Sequence, residues 1–189
     1  MCTPINSPGM TMPVSVFAPA ILALSLLAAA PAHAATELPM PARLSGAKAD
    51  AAVVLAARRY AAFWDSGEPA LARLALADDF TDRTLPAGRP QGLAGPLQAS
   101  QVFHAAVPDL QVAIEDMLVA GDRVSLRLHF TGHFTGVFPT PQGELRGQGQ
   151  AIDFHAFDLY QVNAQGRISD NWHLEDNLTL LRQMGVLPR

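Results

Sequence analysis

The stretch that decides the fold begins at Leu110. It reads Leu110-Gln-Val112-Ala-Ile114, then a turn at Gly121-Asp122, then Val124-Ser-Leu126-Arg-Leu128-His-Phe130. Apolar residues fall at every second position, the period of a strand with one buried face, and Gly-Asp suits a hairpin turn. The alternation returns at Ile152 and Phe154 and again at Ile168 and Trp172. Between these runs, residues 139–149 and 163–166 carry Pro, Gly and Asn at hairpin length or slightly more. Four long strands in an antiparallel meander are predicted after Pro108.

Before Pro108 the period is helical. From Asp50 to Asp65, Val53, Ala56 and Tyr60 share a face that Phe63 and Trp64 continue, with Asp50 as a start signal and Ser66-Gly67 as a stop. A second short helix is predicted from Glu68 to Ala77, then an extended segment over Asp79–Asp82, then a helix from about Leu93 to Ala106. A last short helix, Asn177 to Met184, ends at Gly185. Helices grouped before a curved antiparallel sheet predict an α+β fold. About three N-terminal helices would pack on a sheet of four or more strands, leaving a mouth where a ligand binds.

The N-terminus has a different character. Residues 1–36 contain no Asp, Glu, Lys or Arg, and Val14 to Ala32 are almost unbrokenly apolar. The run ends in Ala32-His33-Ala34, with small residues at the positions a signal peptidase reads. Residues 1–34 are therefore read as a cleaved export signal, 35–48 as a Pro-broken linker and 49–189 as the domain. The leader lacks Lys and Arg, Met10 and Met12 are alternative starts, and an uncleaved membrane anchor competes for the same run. With cleavage the protein would be periplasmic or secreted, with no stable membrane anchor.

The single cysteine, Cys2, lies in the leader, so the remaining chain has no thiol for a disulfide, a zinc site or a nucleophile. Its length of roughly 155 residues suits one domain. A net charge of −4 without a basic run offers a phosphate backbone nothing to bind, which excludes nucleic acid as a partner. Gly-x-Ser-x-Gly, His-Glu-x-x-His and Gly-x-x-x-x-Gly-Lys are all absent, and no cofactor is expected. No metal is expected either. His129 and His133 lie four apart on a strand, roughly 13 Å, and could share an ion only if Gly132 bulges. Otherwise they lie on the solvated face with Arg127 and Thr131.

Candidate chemistry concentrates in Ile168-Ser-Asp-Asn-Trp172-His-Leu-Glu-Asp176. Regular alternation would put Ile168, Trp172, Leu174 and Asp176 on one face. Buried there, Asp176 would hold a raised pKa suited to moving a proton. As an alternative, it caps the final helix. On the preceding strand Ile152, Phe154, Phe157 and Tyr160 occupy both parities, so His155, Asp158 or both are expected to be buried and hydrogen-bonded. His155 would then orient an acid or donate to an oxyanion, or simply be a satisfied core histidine. Tyr60 and Trp64, one helical turn apart, line a pocket or pack the core.

Several segments together resemble the SnoaL-like polyketide (ester) cyclase family of the nuclear transport factor 2-like superfamily. They are Gly132-His-Phe-Thr-Gly136, Pro139-Thr-Pro-Gln-Gly143, Gly166-Arg-Ile-Ser-Asp-Asn-Trp172 and Leu180-Leu-Arg-Gln-Met-Gly185, with Arg59-Tyr60, Phe63-Trp64 and Asp78-Asp79-Phe80 as the opening. The resemblance implies a cystatin-like cone, with Asp176 matching the family's acid/base aspartate and His155 its pocket histidine. Tyr60, Trp64, His133, Phe157, Tyr160 and Trp172 are the candidate substrate-binding residues. The implied reaction is a cofactor-free aldol-type cyclisation or isomerisation of a small, apolar, carbonyl-containing compound, in a homodimer or higher homo-oligomer. Two departures stand out. Gln161 occupies a place where many members carry Arg, and an export signal sits oddly with a polyketide substrate assembled in the cytoplasm. A non-catalytic periplasmic ligand-binding or accessory domain of the same fold is the alternative.

Overall fold

The computed structural model describes residues 36–41, 43–46, 51–141 and 143–188, all within the unit His33–Arg189. The expected leader and the expected helix cap Asp50 lie outside the described residues. No helix among the described residues is long and apolar enough to cross a membrane.

In chain order the elements are β1 (Arg43–Ser45), α1 (Ala51–Ser66), α2 (Pro69–Ala75), β2 (Leu76–Asp82), α3 (Ala94–Ala106), β3 (Gln111–Ala120), β4 (Arg123–Phe134), β5 (Val137–Thr140), β6 (Gly143–Arg146), β7 (Gln150–Val162), β8 (Ile168–Glu175) and α4 (Asn177–Met184). The predicted meander is β3-β4-β7-β8, antiparallel throughout. The sheet has six strands, in the order β1-β3-β4-β7-β8-β2, since β1 and β2 add to its edges in parallel, and β2 contains the extended segment expected at Asp79–Asp82. Three-residue β1 is too short to show a period. The helix expected to reach Ala77 stops at Ala75, since Leu76 turns extended and starts β2. The loop expected at 139–149 holds a small hairpin, β5–β6.

Part of the stretch expected to be a linker also runs against the domain. Leu38 is buried, its carbonyl accepts from Arg58 Nε at 2.5 Å, and Glu37 pairs with Arg58 at 3.1 Å.

The sheet's register shifts in β2, between Leu76 and Thr81, and at two bulges that bear on the sites. The β3 register shifts between Ile114 and Asp116, leaving Glu115 unpaired in register, and β8 shifts between Ile168 and Asp170, leaving Ser169. A bulge bends its strand and resets which residues face inward. The curved sheet wraps α1, where Tyr60 stacks on Phe63 at 5.8 Å and meets Tyr160 edge-on at 5.6 Å. Burying side chains of this kind stabilises the fold by about 1.5–3 kcal/mol each.

Beyond the end of β8, α4 covers β7. Asp176 N donates to His155 O at 2.9 Å, and the Gln183 amide satisfies both backbone groups of Asp153, so an otherwise open strand edge is closed. Gly185, at φ 80°, ends α4 as expected.

Gly136 ties the β5–β6 hairpin to the end of α3. Its N donates to Ala106 O and its carbonyl accepts from Gly147 N, both at 2.9 Å. A Cβ there would lie 1.9 Å from Ala105 O. Gly136→Ala is expected to lower the urea midpoint by a loss of about 1–3 kcal/mol; an unchanged midpoint would mean that the hairpin seat yields freely.

Candidate small-molecule site

Between the concave face of the sheet and the helices lies a cavity of about 460 Å³, within the range of small-ligand sites. Its walls are apolar. Trp64 comes from α1, Val102 and Phe103 from α3, Phe130 from β4, Phe138 from the hairpin, Phe154 from β7 and Leu180 from α4. Its floor is polar, made of Asp82 at the end of β2, Asp158 on β7, and Asn171, His173 and Glu175 on β8, with Arg89 in the neighbouring loop.

The floor is a connected network. His173 Nε2 lies 3.1 Å from both oxygens of Asp82, and Nδ1 lies 2.7 Å from Glu175 Oε1. Thr84 N donates to Asp82 Oδ1 at 2.9 Å, and His173 N donates to Thr84 Oγ1 at 2.9 Å, so the loop after β2 is locked to β8. Asp158 is the cross-strand partner of His173, and the Tyr160 hydroxyl donates to its Oδ2 at 2.5 Å. Asn171 Oδ1 is buried with no partner among the described residues.

Burial first raises the Asp158 pKa, and despite the Tyr160 hydrogen bond and the charge of His173 it stands at about 6. For His173 burial acts downward, but the hydrogen bonds and charges of Glu175 and Asp82 outweigh it and push the pKa up to about 9. The imidazole is therefore a cation at neutral pH, a donor at both nitrogens. Burial raises Glu175, yet His173 holds it below the usual range. Tyr60, raised well above 10 chiefly by burial, keeps its proton. A buried charge cluster is a poor source of stability, and titratable groups shifted apart in a cavity make this floor the candidate site.

Of the residues expected from the sequence, Tyr60 and Trp64 line the cavity, and Tyr160 lies just beneath it on Asp158. Asp176 is not brought there. It is the N-cap of α4, its carboxylate accepting from Thr179 N at 3.0 Å and Thr179 Oγ1 at 2.7 Å, and those bonds hold its pKa below the ordinary value. The cause is the bulge at Ser169. Strict alternation from Ile168 points Trp172, Leu174 and Asp176 inward, whereas the extra residue hands those places to Asn171, His173 and Glu175. His155 and Phe157 lie on the outer face of β7, since Phe154, Ala156 and Asp158 take the inner one. His133 faces outward as well, its Nδ1 2.7 Å from Asp109. Gly132 makes no bulge in the β4–β7 register, so His129 and His133 stay apart. Asp158 was visible as one of two polar groups on a strand apolar on both faces. Asp82, His173 and Glu175 carried no signal of their own.

Helices packed on a curved sheet in an α+β cone are the architecture of the nuclear transport factor 2-like fold. The chain belongs to the SnoaL-like polyketide cyclase family, whose model matches residues 54–184. It is 40% identical to a protein of Bacillus cereus ATCC 10987 provisionally assigned as a polyketide cyclase. That match covers 80% of this chain and 95% of the other, with a TM-score of 0.69. IdmH of Streptomyces antibioticus, also provisionally a polyketide cyclase, is 26% identical over 69% of this chain and 96% of its own, with a TM-score of 0.54. TsrD of Streptomyces laurentii shares the fold at 24% identity, covering 73% of this chain and 98% of its own, with a TM-score of 0.63. No curated protein matches the chain.

Both shifted groups make stability fall as pH rises, in different windows. Because the Asp158 pKa rises from 3.8 to about 6 on folding, its charged form opposes folding. That cost is absent below pH 3.8, grows as pH rises, and is full above about 6. Asp158→Asn should melt higher than the wild type at pH 8 and match it near pH 4; an equal difference at both would show that Asp158 is not the strained group. The His173 contribution is full below pH 6.5 and lost as pH rises through about 9. His173→Gln should therefore cost more stability at pH 6 than at pH 10 in thermal melts.

Proposed function

We propose that the protein is a cofactor-independent acid/base enzyme of the cyclase or isomerase type, acting on a small, largely apolar carbonyl compound held in the cone. The observation that carries this reading is Asp158, a buried carboxyl at the junction of an apolar cavity and a polar floor. With a pKa of about 6 it is ionised at neutral pH yet basic enough to accept and return a proton.

In this reading Asp158 does what the sequence suggested for Asp176. It takes a proton from the carbon next to the substrate carbonyl. The C–H electron pair moves onto that oxygen as an enolate, and the Asn171 amide, the Tyr60 hydroxyl and Arg89 are the donors available to it. In a cyclisation the enolate carbon then attacks a second carbonyl of the same molecule, forming a C–C bond, and Asp158 gives its proton to the new alkoxide. In an isomerisation the proton returns to a different carbon. The unpaired Asn171 Oδ1 is the place for a substrate hydroxyl. His173 is a positioning residue, since both its nitrogens are engaged by Asp82 and Glu175, and its charge eases ionisation of Asp158.

The reading carries with it export to the periplasm or beyond, supported by the composition of residues 1–34. It also carries homodimer formation, supported by the exposed pair Phe157 and Leu174, which are cross-strand neighbours on the outer face.

The experiment follows hydrogen–deuterium exchange at the α-carbon of aryl ketones and β-keto esters by NMR, above the buffer rate. Wild type should accelerate exchange, with the rate rising through about pH 6, and Asp158→Asn should lose on the order of 10²–10⁴-fold while still shifting the ligand's resonances. His173→Gln should move the profile to higher pH. Binding with no acceleration in the wild type would instead make the domain a carrier of such compounds.

A further inference from the structure

On the opposite side of the sheet from the cavity, β3, β4 and β7 place three potential metal ligands together. His129 and His155 are directly opposed across β4 and β7, and Glu115 reaches the same spot from the bulge in β3. Among the described residues these three form a group whose ligand atoms all lie within 4.8 Å of one another. We propose that Glu115, His129 and His155 form a binding site for a zinc-class divalent ion on the outer face of the sheet. The proposal is independent of the chemistry in the cavity.

The spacing fits. Glu115 Oε1 lies 3.4 Å from His129 Nδ1, and Glu115 Oε2 lies 3.3 Å from His155 Nε2. Ligand atoms around a tetrahedral zinc at bond lengths of about 2.0–2.1 Å stand roughly 3.3 Å apart, and with one oxygen of Glu115 serving both histidines the set lies within 4.8 Å, a gap that small side-chain rotations close. Three protein ligands leave the fourth position to water, and all three side chains are half-buried, so the ion has an entry path.

The outer shell fits as well. His129 Nε2 lies 2.8 Å from Asp153 Oδ1, the carboxylate–histidine relay that leaves the other ring nitrogen unprotonated and aimed at a metal. Asp153 is itself fixed by Gln183 at both backbone groups.

Two features weigh against a purely ionic explanation of the cluster. The imidazoles stack at 4.5 Å with their planes 9° apart, an arrangement that two protonated rings would oppose. Glu115 is also shared with Arg127, so it has a cationic partner without either histidine. Because the rings are parallel, ligation needs each to tilt about its side-chain torsions, a motion available on a solvent-facing sheet surface. His133, with its own carboxylate Asp109, lies outside the group.

Titration of the tag-free protein with ZnCl₂ by calorimetry, and with CoCl₂ followed by visible absorption, tests the site. One equivalent of zinc should bind saturably, with Co²⁺ giving the intense bands of tetrahedral coordination. His129→Ala and His155→Ala should each weaken binding at least tenfold, Asp153→Asn by roughly 10–100-fold, and His133→Ala should leave it unchanged. Circular dichroism establishes that each variant is folded, and His155→Gln replaces His155→Ala if the latter is not. No saturable binding by the wild type, or binding equal in the His129→Ala/His155→Ala double variant, would overturn the proposal and leave an ion-pair cluster.

Discussion

Strand β7 is hydrogen-bonded on both sides, to β4 along its whole length and to β8 over its second half. A strand held this way cannot slip by one residue without moving its whole apolar set to the other face. Ile152, Phe154, Ala156, Asp158 and Tyr160 are therefore committed to the interior, and Asp153, His155 and Phe157 to the exterior. The placement of the cavity's ionisable carboxyl and of the outer histidine follows from this one restriction. Asp158 is buried because its neighbours two residues away, Ala156 and Tyr160, must be.

The two bulges act against that rigid reference. At Ser169 the extra residue reverses the facing of β8, bringing Asn171, His173 and Glu175 over Asp158 and leaving Asp176 free to cap α4. At Glu115 the extra residue turns a carboxylate toward the histidines on the outer face. Both are local departures beside the β4–β7 pairing, which keeps a regular register. One places the groups that surround the acid in the cavity, and the other completes a ligand set on the opposite side.

The family relation and the geometry answer different questions. Identity of 40% to the Bacillus protein and the match over residues 54–184 establish the cone and the family. Which carboxyl moves a proton is a question about the particular cavity floor. The aspartate after the strand tryptophan, suggested by resemblance, sits here at a helix start, each of its oxygens accepting from Thr179. A raised carboxyl is found instead one strand away, tied to a tyrosine and facing a histidine cation.

The sequence by itself determined the class of fold. The alternation in 110–130 and its echoes, the helical period before Pro108, and Gly185 at the end of α4 are local signals, each readable because side-chain direction repeats with the backbone. It also showed Asp158 on a strand with apolar residues on both faces, though not which face it takes. Edge strand β1 was hidden, because three residues carry no period, and only the second half of β2 was legible, because the strand starts where helical propensity had not yet run out. Only the tertiary structure decided the site. A single inserted residue at Ser169 inverts every later side chain on β8, and no local pattern announces it, because a bulge is defined by the register of two strands rather than by the residues of one.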